Sequence, residues 1–215
     1  MRRSAIVLAS VAGMLGASAP AYADQAAPNP AAPQQAVTPI PMRVFGPAQA
    51  PYGFVNFCER SPRECLQGPQ EEQRFDLTPA RRAQLETVNT AINNEIAPVT
   101  DIELYGVADY WTVPKRHGDC EDYVLLKRKR LLELGWPASA LLITVVRDER
   151  GDGHAVLTAR TQQGDFILDN KTDEIRLWYQ VPYRFVMRQS YLNPRVWLSL
   201  DTRQRHQSLP LAGVR

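Results

Sequence analysis

The sequence predicts an α+β domain in which two helices precede an antiparallel β-meander. Apolar residues recur at spacings of three and four in two stretches, which is the spacing of a helix that packs on a core. Three β-rich runs follow the second stretch and are joined by short turns that contain Gly and Asp. Strands joined by short turns pair antiparallel. The predicted fold class is therefore α+β.

The first 23 residues have the order of a secretory signal peptide. Arg2 and Arg3 precede a mostly apolar run, and Ala21-Tyr22-Ala23 is a small-residue cleavage pattern. The apolar run ends at Ser18 and is shorter than the roughly 20 residues that a membrane span needs. We therefore expect cleavage after Ala23 and export of the mature chain.

Charge and composition divide the chain into segments. The full sequence has 25 basic and 23 acidic residues, and residues 1–23 remove two arginines and no acid, so the mature chain is formally neutral. This balance argues against a nucleic-acid partner, which normally requires a basic excess. Residues 24–50 are rich in Ala, Pro and Gln and predict a flexible leader. Residues 51–200 predict one domain, and residues 201–215 predict a polar tail.

The first predicted helix begins at Pro79, where Thr78 is suited to cap its N-terminus. A loop over residues 54–75 precedes it, and Pro98 ends it. Its apolar stripe comprises Leu85, Val88, Ile92 and Ile96.

The second predicted helix begins at Cys120 and ends before Gly135. Unpaired N–H groups and the helix dipole at its first turn favour a thiolate over a thiol. Cys120 also shares a helix face with Val124 and Leu131, so a buried structural cysteine is the alternative interpretation. The aromatic residues within 109–114 could line a substrate groove, but packing is the favoured role.

The number of cysteines also bears on Cys120. The chain has three, and an odd number in an exported protein suggests one disulfide and one free thiol. Three pairings are formally open. The bridge between Cys58 and Cys65 is favoured because the loop between them is short and contains Pro62. This pairing leaves Cys120 free, as a nucleophile must be.

The strands are predicted at residues 141–146, 154–159 and 166–170. A thiolate nucleophile needs a base and a third group that orients the base. His154 begins the second strand and Asp169 ends the third, so cross-strand pairing can bring them together. Each alone is also typical of a strand end. His206 lies in the predicted polar tail, and His117 has no neighbouring strand to hold an orienting carboxylate, so both rank lower.

Residues 109–170 resemble the bacterial transglutaminase-like cysteine peptidases, a family that includes the periplasmic proteases of the LapG type. Four motifs carry the resemblance: Asp109-Tyr110-Trp111, Gly118-Asp119-Cys120-Glu121-Asp122-Tyr123, Gly153-His154-Ala155-Val156-Leu157 and Leu168-Asp169-Asn170. The resemblance implies a papain-like fold in which the cysteine helix packs against an antiparallel sheet. It makes Cys120 the nucleophile, His154 the general base and acid, and Asp169 the orienting carboxylate.

The same resemblance implies a location and partners. It places the protein in the periplasm and gives it a protein substrate, such as a surface adhesin, and a membrane-bound regulatory protein. We expect a monomer.

Asp119, Glu121 and Asp122 place negative charge beside Cys120, which disfavours a thiolate. One explanation is that acids in the first helical turn complement the helix dipole. The other is a cation, because clustered carboxylates are the ligands that calcium accepts. The resemblance implies a calcium site beside the cysteine, at Asp119 and Glu121.

These observations predict an exported cysteine endopeptidase that uses a Cys120-His154-Asp169 triad. Transglutaminase-type transfer of the acyl group to an amine would use the same residues. A non-catalytic periplasmic binding protein would keep the same fold. The sequence alone does not separate these alternatives.

Overall fold

The computed structural model describes residues 39–66 and 74–201. In these ranges the chain forms four α-helices: Tyr52–Arg60 (α1), Pro79–Glu95 (α2), Asp101–Tyr105 (α3) and Cys120–Glu133 (α4). Among the described residues, no helix is long and apolar enough to cross a membrane. The predicted signal peptide and residues 202–215 of the predicted tail lie outside the described ranges.

The same ranges contain nine strands: Pro47–Ala48 (β1), Ala97–Pro98 (β2), His117–Gly118 (β3), Leu141–Arg147 (β4), Gly153–Thr161 (β5), Gly164–Asp169 (β6), Thr172–Leu177 (β7), Arg184–Gln189 (β8) and Trp197–Ser199 (β9). Seven of them form one antiparallel sheet in the order β1-β9-β8-β4-β5-β6-β7. β2 and β3 form a separate parallel pair. The α+β prediction and the β4-β5-β6 meander are confirmed.

The main core lies between one face of the sheet and the helices. Thr78 caps α2 through a hydrogen bond from the Arg81 N–H, and α4 begins at Cys120, so both predicted helices are confirmed. Apolar side chains from β4, β5 and β6 pack on this side with those of α2 and α4. Trp111 is fully buried here and contacts the Phe54 ring edge-on. Packing is therefore the role of this aromatic residue.

The opposite face of the sheet is covered by the N-terminal part of the described chain. Met42 packs there in a second apolar cluster with Val146, Val156, Ile167 and Phe185. Trp178 Nε1 donates to the Ile40 carbonyl at 2.7 Å, and the Phe45 N–H donates to the Ser199 carbonyl at 2.8 Å. Because both faces are covered, the central strands β5 and β6 are buried at every residue.

A disulfide joins Cys58 and Cys65, with an S–S distance of 2.01 Å, and Cys120 is a free, buried thiol. The predicted pairing is confirmed. The predicted loop over residues 54–75 is wrong at its beginning, because α1 carries Cys58. α1 forms because Phe54, Phe57 and Cys58 bury one face of it in the main core.

We expect the double variant Cys58→Ser/Cys65→Ser to lose about 2 kcal/mol of unfolding free energy, because the disulfide closes a short loop. Urea denaturation with and without reductant measures this loss. Reductant should destabilise the wild-type protein by the same amount and leave the double variant unchanged. Equal stability of the two oxidised proteins would contradict the expectation.

Candidate active site

The start of α4 is held in place by close packing around Gly118. A Cβ atom at Gly118 would lie 2.6 Å from Asp122 Oδ2, so only glycine allows this approach. Asp122 Oδ1 accepts a hydrogen bond from the Thr112 N–H at 2.8 Å, which ties the preceding loop to the helix. Burial, the first cause, raises the pKa of Asp122 to about 8. The motif around Cys120 is therefore partly a structural requirement.

Cys120 has no exposed surface. Its sulfur lies beside one group that raises the pKa of the thiol and one that lowers it. Its thiol donates to Glu121 Oε2 at 3.2 Å, and the Ala155 N–H lies close enough to the sulfur to lower the pKa of the thiol. Burial first, and then the charges of Glu121 and Asp119, raise the pKa of the Cys120 thiol well above its ordinary value. In this conformation the thiol is therefore protonated and resting against a carboxyl group.

His154 and Asp169 form a buried pair. His154 Nε2 lies 2.9 Å from Asp169 Oδ1. A carboxylate accepts hydrogen bonds, so the neutral imidazole carries its proton on Nε2 and leaves Nδ1 with a free lone pair. Burial would raise the pKa of Asp169, but hydrogen bonds from His154, Tyr183 and the Lys171 N–H bring it down to about 2.

The sheet register explains how these residues meet. Leu157 pairs with Leu168, so His154 and Asp169 lie on the same face, diagonally across the start of β5 and the end of β6. The Ala155 N–H contacts the Cys120 sulfur, so the thiol lies beside the residue that follows His154. The structure thus places all three predicted residues near the start of β5. Among the described hydrogen bonds, the thiol is bonded to Glu121 and not to His154.

Tyr183 also belongs to this group, although it is not among the residues predicted for the site. Its hydroxyl donates to Asp169 Oδ2 at 2.5 Å, and its ring contacts the His154 ring edge-on at 5.7 Å between centroids. Burial first, and then the charge of Asp169, raise the pKa of Tyr183, so it remains a donor. No local sequence signal marks this contact, because Tyr183 precedes β8, which is separated from β6 in the sheet by β4 and β5.

A second cluster of acids lies at the start of α4. One carboxylate oxygen each from Asp101, Asp119 and Glu121 lies within 4.8 Å of the others, and all three residues are buried. Burial is the first cause that raises the pKa of each, and that of Asp119 rises to about 6. The sequence prediction named Asp119 and Glu121 and missed Asp101, which begins α3 and lies far from them along the chain.

The carboxylate oxygens of this cluster are suited to a hard cation. Both oxygens of Asp119, one of Glu121 and one of Asp101 are buried and make no hydrogen bond within the described ranges. Asp119 is the N-cap residue of α4, but its side chain makes no capping hydrogen bond. Capping therefore does not explain Asp119. An all-oxygen set of buried, unpaired carboxylates fits calcium.

A helix-start cysteine beside a histidine–aspartate pair on an antiparallel sheet is an arrangement that suits thiol-dependent acyl transfer. The sequence-family model of the bacterial transglutaminase-like cysteine proteinases matches residues 44–205, about three quarters of the chain. The chain therefore belongs to this family and is a cysteine peptidase. The search of curated proteins found no match.

Solved structures with local similarity include three of Legionella pneumophila LapG. The calcium-bound form is 26% identical, covers 62% of this chain and 75% of its own, and has a TM-score of 0.48. A second LapG structure is 28% identical over 57% of this chain and 69% of its own, with a TM-score of 0.47. The EGTA-treated form is 26% identical over 63% and 74%, with a TM-score of 0.47. Family membership rests on the family-model match rather than on these superpositions.

We expect Tyr183→Phe to lower kcat about tenfold with little change in KM. The substitution retains the aromatic ring but removes the hydroxyl, and with it one hydrogen bond that orients Asp169. Peptidase kinetics and a thermal melt of the same preparation measure this effect. Tyr179→Phe is the matched control, because Tyr179 lies in the same region and is exposed. Equal kcat values for Tyr183→Phe and the wild-type protein would exclude the orienting role.

Proposed function

We propose that this peptidase is an exported endopeptidase in which Cys120 attacks the peptide carbonyl and His154 transfers protons. The observation that carries the proposal is the buried His154–Asp169 hydrogen bond beside the residue whose N–H contacts the Cys120 sulfur. That bond fixes the tautomer, so Nδ1 is the atom available to take the thiol proton.

The remaining steps follow from the same groups. Attack by the thiolate forms a tetrahedral intermediate, whose oxyanion the unpaired N–H groups of the first turn of α4 are placed to stabilise. The protonated His154 then gives its proton to the amine as the carbon–nitrogen bond breaks, which leaves the acyl-enzyme. Water activated by the neutral imidazole then releases the acyl group. Asp169 keeps the imidazole oriented and stabilises its charged form.

The thiol must first leave Glu121, because a thiol bonded to a carboxyl group and surrounded by acids does not ionise readily. We propose that Asp101, Asp119 and Glu121 hold a calcium ion. The ion would supply positive charge that offsets these acids and stabilises a neighbouring thiolate. The unpaired carboxylate oxygens support this assignment.

Export to the periplasm and a surface adhesin as substrate are further parts of the proposal. The signal-peptide pattern of residues 1–23 supports export. Mass spectrometry of the protein recovered from a periplasmic fraction should find Asp24 at its N-terminus. The substrates would be the proteins that are shed from cells with the wild-type protein and retained on cells with the Cys120→Ala variant. A membrane-bound regulatory protein is tested by crosslinking in the same cells.

Transfer of the acyl group to an amine remains the second candidate, since the same three side chains support it. Adding a primary amine to the reaction separates the two activities. Endopeptidase activity yields two fragments without incorporated amine, whereas transfer yields a product that carries the amine. A binding protein without turnover would yield neither.

We expect Cys120→Ala and His154→Ala each to abolish turnover, and Asp169→Asn to lower it at least about 100-fold, because the imidazole loses its orienting acceptor. Cleavage assays on protein with unchanged circular dichroism measure these effects. His117→Ala is the control and should retain activity, because His117 is exposed. Cleavage at the wild-type rate by folded Cys120→Ala protein would overturn the triad assignment.

We expect calcium to raise the thermal midpoint, and to do so more at pH 7.5 than at pH 5.5. Folding raises the pKa of Asp119 to about 6 and that of Asp122 to about 8, so without metal the folded protein holds protons that the unfolded chain has released. Metal-free stability therefore falls as pH rises from about 4 through this range. Calcium competes with those protons and binds best when they are lost.

Melts of chelator-treated protein with and without calcium, at both pH values, measure this effect. Asp101→Asn should weaken the response to calcium, whereas the exposed control Asp152→Asn should keep it. Identical melts with calcium and with chelator at both pH values would rule out the site.

A further inference from the structure

The backbone pairing between β5 and β6 stops before it reaches His154 and Asp169. In the described register, the last pair on this side is Leu157 with Leu168. His154 is paired with β4, and Asp169 is paired with β7. The two residues therefore lie at the ends of neighbouring hairpins. The described ladder between β5 and β6 does not fix the distance between the imidazole and the carboxylate, so side-chain contacts must do so.

A buried carboxylate organises the turn that precedes His154. Asp148 follows β4, and its side chain is 2% exposed. Its Oδ1 accepts hydrogen bonds from the Arg150 N–H at 3.0 Å and from the Asp152 N–H at 2.9 Å. The Asp148 N–H donates to the Asp152 carbonyl at 3.0 Å. These bonds close the turn between β4 and β5 and leave Asp148 Oδ2 for a contact outside that turn.

Lys171 makes this contact from the turn that follows Asp169. Its side-chain Nζ donates to Asp148 Oδ2 at 2.7 Å. Its backbone N–H donates to Asp169 Oδ1 at 3.0 Å, the same oxygen that lies 2.9 Å from His154 Nε2. One residue therefore contacts both the orienting carboxylate and the turn that leads into β5.

Two neighbouring contacts do not make the same connection. Arg150 Nε lies 3.9 Å from Asp148 Oδ2, but Arg150 is 61% exposed and belongs to the same turn as Asp148. Asn93 donates to the Asp169 carbonyl at 3.0 Å and anchors the second turn to α2. Neither contact joins the turn before His154 to the turn after Asp169.

We propose that the Asp148–Lys171 ion pair is a positioning contact for His154 and Asp169: it joins the two turns and so holds the imidazole and the carboxylate at hydrogen-bonding distance. The proposal rests on the proposed roles of His154 and Asp169. A short, charge-assisted hydrogen bond with a buried acceptor is suited to this task, because it is stronger and more directional than an exposed ion pair.

A positioning contact and a simple charge effect predict different results. Removing the Lys171 charge leaves the negative charge of Asp148 near the imidazole, whereas neutralising Asp148 leaves the positive charge of Lys171. A charge effect alone would therefore change the proton affinity of His154 in opposite directions in the two variants. Loss of a positioning contact acts in the same direction in both, because each variant separates the turns and weakens the His154–Asp169 hydrogen bond.

The experiment measures how fast the His154 Nε2–H exchanges with water, by NMR of the full chain labelled with ¹⁵N-histidine. His154→Gln assigns the signal among the three histidines. Lys171→Met removes the ammonium and keeps an unbranched side chain. Asp148→Asn keeps the Oδ1 acceptor of the turn and removes the charge. The double variant Lys171→Met/Asp148→Asn tests whether the two changes remove the same contact.

Arg74→Met is the matched control. Arg74 and Asp165 form an ion pair at 2.9 Å whose side chains are 28% and 2% exposed, against 29% and 2% for Lys171 and Asp148. Asp165 lies near the start of β6, at the opposite end of the strand from Asp169. The control therefore breaks an ion pair of similar burial that does not join the two turns.

We expect Lys171→Met and Asp148→Asn each to speed the exchange about fivefold, with no further increase in the double variant and none in Arg74→Met. Unchanged exchange in Lys171→Met, additive effects in the double variant, or equal acceleration by Arg74→Met would overturn the proposal. Should Asp148→Asn fail to fold, the comparison of Lys171→Met with Arg74→Met still decides.

Asp169→Ala separates this proposal from the one on which it rests. It removes the acceptor of the His154 Nε2–H and should speed the exchange more than the loss of the ion pair does. If the wild-type protein and Asp169→Ala exchange equally fast, the His154–Asp169 pair itself is overturned. If Asp169→Ala speeds the exchange and Lys171→Met does not, only the positioning role of the ion pair is overturned.

Discussion

The packing of the first turn of α4 against the start of β5 is the constraint on which this structure depends. It places the Cys120 sulfur against the Ala155 N–H and therefore beside His154. It also buries Asp119, Glu121 and Asp122 with Asp101. Carboxylates taken out of water without partners cost several kcal/mol each, so this helix start is stable only if they are protonated or bind a cation. The stability of this helix start therefore depends on the charge state of one cluster.

α4 carries buried acids in its first turn and buried cations, Lys127 and Arg128, two turns later. The acids lie around Cys120, whereas Lys127 Nζ makes no hydrogen bond to the described residues. Because a helix is rigid, these charges keep fixed distances from the groups that they influence. α4 therefore acts as a frame for the site as well as the carrier of its thiol.

Burial of Cys120 is consistent with a resting peptidase. A buried thiol with a raised pKa is also what a structural cysteine would show, so the thiol alone does not distinguish the two. The family match and the buried His154–Asp169 pair argue for a nucleophile. On that interpretation, the contact with Glu121 represents the thiol before it loses its proton, because its hydrogen-bond partner is the Glu121 carboxyl group and not His154.

The sequence by itself determined the local features. The extents of α2 and α4, the meander, the Cys58–Cys65 pairing and the three triad candidates all follow from spacing, capping and short-loop closure, which act between near neighbours. Only the tertiary structure decided that Asp101 joins Asp119 and Glu121, that Tyr183 bonds Asp169, and that α1 forms in the predicted loop. These contacts join residues far apart along the chain, and they depend on packing between elements that no local pattern records.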